Sequence, residues 1–200
     1  MTTSARPLFL LFGLLLACSG CTLWPEAPDP PALHDLGPYA PGQHDFPWSG
    51  VIVSSPEWLE DTGIDYRLLY ANPTERRSYT RDRWVAAPAL LLQQRLNRGD
   101  RPGGPLLRIE LEDFEQVFDR PGQARVVMAL KAAIEYPAAS GDNPAERAFR
   151  FETPAASADA AGALQAFPML VRQAEDGLRD WVRQQAVSRG SAFSPVPLSP

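Results

Sequence analysis

Apolar and polar positions alternate with period two along several stretches of this chain and with the helical period along two others. The changes of period mark its elements. Leu107, Ile109 and Leu111 alternate with Arg108, Glu110 and Glu112, the signature of a half-buried strand. The alternation slips at Asp113-Phe114, which predicts a bulge or the end of a first half. Ala124, Val126, Met128, Leu130, Ala132 and Ile134 then share one face of a long strand, with Arg125, Lys131 and Glu135 opposite. Asp119-Arg120-Pro121-Gly122 lies between the two, so together they predict a hairpin. Upstream, Val51-Ile52-Val53 is a short β-branched strand, and Ile64, Tyr66, Leu68 and Tyr70 fall on one face of a second. Glu75-Arg76-Arg77-Ser78 is expected to turn, with a brief third strand or extended segment over Tyr79 to Trp84. A last strand is expected from Ala148 to Glu152, with Phe149 and Phe151 inward.

Two stretches change to the helical period. Pro88 suits a first helical turn, and the leucine-rich run after it continues with helix formers to Gly99. From about Ala158 to Val187, the residues Leu164, Phe167, Val171, Ala174, Leu178 and Trp181 step by three and four, an apolar stripe facing a core. The order predicts an α+β fold: a mixed or antiparallel sheet of about five strands with two main helices. No internal repeat is visible.

The first residues belong to a different class. A polar start with one positive charge, Arg6, leads into an apolar run from Leu8 to Ala17, too short for a permanent membrane span of roughly 20 residues. This is a secretory signal peptide, residues 1–17. Cysteine directly after Leu15-Leu16-Ala17 resembles the lipobox of bacterial lipoproteins, in which the cysteine becomes the acylated N-terminus. Cys18 has Leu15 at −3 and Ala17 at −1 and is the favoured attachment site, with Cys21, after Ser19-Gly20, as the alternative. Both cysteines of the chain lie here, so none remains in the body for an internal disulfide. Residues 18–48 are rich in proline and form an extended tether; some 25 residues at about 3.1 Å each could hold the body several tens of ångströms from the lipid. The stretch around Leu33-His34-Asp35-Leu36-Gly37 is expected to lie on the domain surface. The folded domain is placed at 49–190, and 191–200 is a Pro/Ser tail expected to be disordered.

Composition narrows the function. A net charge of −5 and a pI near 5.1 offer no basic stripe to neutralise phosphates, so nucleic acid is not an expected partner. His34 and His44, the only histidines, both sit in the proline-rich spacer, where nothing rigid would hold a general base near a nucleophile. Neither a Gly-x-Ser-x-Gly elbow nor a P-loop nor a dinucleotide fingerprint occurs. The sequence predicts no enzyme, no catalytic residue and no cofactor. It predicts no metal either, since no Cys/His cluster survives in the body. Glu110, Glu112, Asp113 and Glu115 could suggest calcium, but the spacing follows the solvent face of a strand. Tyr66, Tyr70, Tyr79 and Trp84 could line an apolar groove, although aromatics at strand spacing more often form sheet core.

Several stretches resemble the ABC-type transport auxiliary lipoproteins, the family that includes the paraquat-inducible PqiC component. They are Pro56-Glu57-Trp58-Leu59, Ile64-Asp65-Tyr66-Arg67-Leu68, Asp82-Arg83-Trp84 with Pro88 and the leucine-rich helix, and Leu111-Glu112-Asp113-Phe114-Glu115-Gln116-Val117-Phe118. The proline-rich spacer is longer than is usual in that family. The resemblance implies a fold similar to the N-terminal domain of TolB. It implies a lipoprotein on the periplasmic face of the outer membrane, working with an ABC transporter and an MCE-domain protein to move phospholipids or other hydrophobic molecules. Ser19 or Thr22 follows the candidate cysteines, not the aspartate that retains lipoproteins at the inner membrane. A homo-oligomeric ring is compatible with that role, and the family supplies no catalytic residues to carry over. The alternative function is an envelope-assembly lipoprotein, a TolB-like or lipopolysaccharide-assembly-like interaction module.

Overall fold

The long hairpin is the frame of the molecule. In a computed structural model, which describes residues 29–38, 46–97, 103–136 and 144–192, β5 (Leu106–Arg120) and β6 (Gln123–Glu135) pair antiparallel along nearly their whole length. Gly122 closes the turn at φ +78°, a conformation that costs other residues a steric clash. The chain divides into two compact units, Met1–Pro30 and Pro31–Pro200; of the first only Asp29 and Pro30 are described, and the architecture below is that of the second. The signal peptide, Cys18, Cys21, His44 and the tail from residue 193 lie outside the described residues.

The predicted bulge is present: the β5–β6 register shifts between Leu111 and Asp113. Its effect is to exchange parity. Leu107, Ile109 and Leu111 face the core before it, and Phe114, Gln116 and Phe118 do so after it, because one extra residue turns the following strand half a period.

β7 (Ala145–Pro154) extends the hairpin on the β6 side. The other edge of β5 is shared by two parallel strands placed end to end. β2 (Gly50–Ser54) pairs with its first third, and β3 (Gly63–Leu68) with Gln116–Phe118. Between them the chain leaves the sheet through a single 3-10 turn, Glu57–Leu59. β4 (Arg76–Trp84) returns antiparallel to β3, and β1 (Ala32–His34) pairs parallel to β4 at the edge. The sheet is mixed and seven-stranded, ordered β1-β4-β3-β5-β6-β7 with β2 beside β5. Class and helix number agree with expectation, and the strand count exceeds it. β1 lies within the expected tether, and β4 begins at Arg76, where a turn was expected.

Helix α1 (Pro88–Leu96) and helix α2 (Ala160–Ala192) cover one face. Their apolar stripes, Leu91, Leu92 and Leu96 with Phe167, Leu170, Val171, Leu178 and Trp181, join the inward residues of β5 and β6 in one core. Trp84, Phe114 and Phe167 meet there at centroid distances of 4.4–5.7 Å. Trp48 is fully buried, stacks on Phe46 at 4.6 Å, and its indole N–H donates to the Leu96 carbonyl at 3.0 Å, closing the end of α1. Asp159 caps α2 by accepting from the Gly162 N–H at 2.8 Å, and the Ser157 hydroxyl and that N–H together hold its carboxyl below the usual range.

Candidate functional site

Among the described residues no helix packs on the second face of the sheet, so its side chains supply their own cover. The pairing register fixes which residues meet there. At the β2 end, Ile52, Arg108, Ala133 and Glu146 form one row, and Ser54, Glu110, Lys131 and Ala148 the next. Alanine at two positions lowers the floor between longer neighbours and leaves a groove of about 460 Å³.

Beyond the bulge the same face carries an unbroken sequence of ion pairs. Arg67 grips Glu115 with Nε at 3.0 Å and Nη2 at 3.3 Å, and its Nη1 donates to the Pro73 carbonyl at 2.9 Å. Arg76 reaches Asp113 at 3.3 Å, Glu115 at 3.4 Å and Asp65 at 3.8 Å. The Ser78 hydroxyl donates to Asp65 at 2.6 Å. Arg150 continues from Asp113 (3.9 Å) to Glu152 (2.8 Å), and Arg125 joins Glu152 (2.9 Å) to Asp119. Beneath these side chains Val117 and Val127 are buried although, among the described residues, no helix lies above them, because long arginine stems cover apolar surface.

This corrects the expectation of a plain solvated face for the acidic group. Glu115 is only 5% exposed and is held by two arginines, Asp113 is shared by two more contacts, and Glu112 pairs with Lys131. Asp65, also 5% exposed, was not singled out by the sequence pattern. Burial pushes its pKa up, while the Ser78 hydroxyl and the Arg76 charge pull the other way. Among the described residues no group of three or more His, Cys, Asp or Glu is placed to hold a metal.

The aromatic candidates separate. Trp84 is core. Tyr66 and Tyr79 pack at 4.8 Å on the helix side, where the Tyr79 hydroxyl donates to Gln116 Oε1 at 2.6 Å and burial pushes its phenol well up. Tyr70 lies past the end of β3 and is exposed. They line no common groove. His34, expected to be loosely placed, is held in β1 with Nε2 2.9 Å from Asp82, so one of the two histidines has a fixed position.

The segment after β1 is bound as firmly. Leu36 enters the core, and Arg95 of α1 donates from Nη1 to the carbonyls of Gly37 (3.2 Å) and Pro38 (3.5 Å) while its Nε bonds Glu175 of α2 at 2.6 Å. Both charged side chains are almost wholly buried, and the second Glu175 oxygen has no hydrogen-bond partner among the described residues.

No protein-family model matches the chain, and no curated protein matches it by sequence. Solved structures do. The crystal structure of protein XCC0632 from Xanthomonas campestris, described as a DUF330 family protein, superposes with a TM-score of 0.60 at 21% identity, covering 80% of this chain and 97% of that one. An uncharacterized protein gives the same TM-score at 13% identity, covering 77% and 99%. At such identities the likeness is one of architecture: the chain has the fold seen in a DUF330 protein.

Proposed function

We propose that the chain is an outer-membrane-anchored periplasmic lipoprotein, a non-catalytic docking component of an ABC transporter with an MCE-domain protein, moving phospholipids or other hydrophobic molecules. The observation that carries the reading is the shared fold with a DUF330 structure over 97% of that chain, DUF330 being the family to which PqiC belongs. It converges with the resemblance drawn from the sequence stretches. Cys18, with Cys21 as the alternative, is the proposed attachment site, and Ser19 or Thr22 after it favours the outer membrane. The second face of the sheet fits a role without turnover, since each acid of the lattice is answered by arginine and held in a structural pair.

The test is affinity purification of the full chain from solubilised envelopes. An MCE-domain protein should be recovered with it, and mass spectrometry of the same sample should find an acylated peptide starting at Cys18. Recovery of β-barrel assembly partners in place of the MCE protein refutes the transport reading.

A further inference from the structure

The lattice on the sheet makes the β2–β3 loop stand out. On the sheet Asp65, Glu112, Asp113, Glu115, Asp119, Glu135 and Glu152 each pair with an arginine or lysine; in the loop Glu57, Glu60 and Asp61 are exposed, and none forms an ion pair among the described residues. No basic residue occurs from Val51 to Tyr66. In the middle of this acidic stretch Trp58 is 59% exposed, while its neighbour Leu59 is 2% exposed.

The loop is rigid. Its two ends are fixed because β2 and β3 both pair with β5. Pro56 presets the entry at φ −68°, the Leu59 N–H donates to the Pro56 carbonyl at 2.9 Å, and the Glu60 N–H to that of Glu57 at 3.1 Å. Leu59 plugs into the core as an anchor. At the exit Asp61 accepts from the Gly63 N–H at 2.7 Å, and Thr62 accepts from the Trp84 N–H at 2.8 Å. A large aromatic held on a stiff loop loses little freedom when it is buried by a partner, the property that concentrates binding energy in tryptophan anchors.

We propose that this loop is a protein-docking element. Trp58 is its anchor, and its partner is a protein surface offering an apolar slot rimmed by lysine and arginine. The charge argues for that rim, because unpaired carboxylates beside a central anchor favour a cationic counterpart and repel an acidic one. It argues against a second copy of this chain, whose net charge is −5. It argues against an anionic lipid surface as well, which would repel the loop. The inference rests on the reading of the chain as a docking component and names the surface that docks.

The experiment measures binding of the full chain in detergent to the purified MCE-domain protein from the same cell, from about 50 mM to about 500 mM NaCl. Trp58→Ala should weaken binding roughly tenfold or more with Trp58→Phe in between, and the thermal midpoint should stay unchanged because the indole is largely in solvent. Neutralising the rim with Glu57→Gln, Glu60→Gln and Asp61→Asn should weaken binding at low salt, with the difference vanishing at high salt. Wild-type binding with Trp58→Ala within about twofold of it overturns the docking loop and leaves the proposed function standing. If the wild type does not bind the MCE protein, the proposed function fails and a photo-cross-linking residue at position 58 in living cells decides the loop. A cross-linked protein peptide with lysine or arginine beside an apolar residue supports it; cross-links to lipid, to an acidic peptide, or to nothing overturn it.

Discussion

Arg95 and Glu175 make the sharpest test of how the body is held together. Replacing Arg95 by Met removes the 2.6 Å bond to Glu175 and the bonds to the Gly37 and Pro38 carbonyls. Glu175 then loses its cationic partner in a site where its side chain is 2% exposed, and breaking one partner of such a pair costs about 3–5 kcal/mol. Against a typical total of about 5–15 kcal/mol that is a large fraction. The double variant Arg95→Met/Glu175→Leu removes the stranded charge and fills the site with apolar volume. It should return to within about 1–2 kcal/mol of wild type, because a buried ion pair is often no better than an apolar replacement. Glu175→Leu alone leaves Arg95 its bonds to the Gly37 and Pro38 carbonyls and should lose less than the first variant. Urea unfolding followed by tryptophan fluorescence gives the free energies, and an unchanged m-value shows that the unfolding reaction is the same. Arg95→Met within about 1 kcal/mol of wild type, or a double variant no more stable than Arg95→Met, would refute the reasoning.

Two further outcomes follow from the same packing. A chain beginning at Pro31 should unfold cooperatively, whereas one beginning at Ser49 loses Leu36, Phe46 and Trp48 from the core, at about 1.5–3 kcal/mol each, and should be largely unfolded by circular dichroism; equal midpoints sink the idea. Asp65→Asn should gain stability relative to wild type as pH rises from about 4 to about 7. Burial raises the folded pKa of Asp65, so its contribution favours the fold below the unfolded pKa and is lost as pH climbs through the folded one, a loss that Asn does not suffer. Urea titrations at both ends of that window measure it, and a relative gain at the acid end contradicts it.

The hairpin, its bulge and the long helix were legible because each buries one face against a single core, so period and parity survive in the letters. β1 was not. Ala32-Leu33-His34 is three residues among prolines with no alternation to recognise, and it is a strand because the edge of β4 accepts it. The early start of β4 was hidden similarly: Arg76, Arg77 and Ser78 look like a turn until Arg76 and Ser78 are seen to meet Asp65, Asp113 and Glu115. Those contacts span 11 to 39 positions and leave no local signal. Glu115 was placed on the open face correctly and its burial missed, since the roof over it comes from Arg67 and Arg76 on two other strands. Trp58 was visible as a letter in a recognised stretch, but its exposure depends on Leu59 taking the inward position beside it.

Moving the start of the body from Trp48 to Ala32 alters what an anchor at Cys18 could do. Thirty residues of chain span at most roughly 100 Å, whereas the stretch from Cys18 to Ala32 spans at most roughly 50 Å. For the proposed anchor at Cys18 that shorter contour is the limit on reach, and the described body begins at edge strand β1. Three residues of edge pairing are weak on their own. What makes the junction hold is the residue that follows in space: Leu36 in the core, and Arg95 fastening the Gly37 and Pro38 carbonyls while Glu175 fixes Arg95 from the other helix. The buried pair thus joins α1, α2 and the segment after β1 at one point. Severing it at Arg95 releases the Gly37 and Pro38 carbonyls, whereas the core contacts of Phe46 and Trp48, further along the chain, remain.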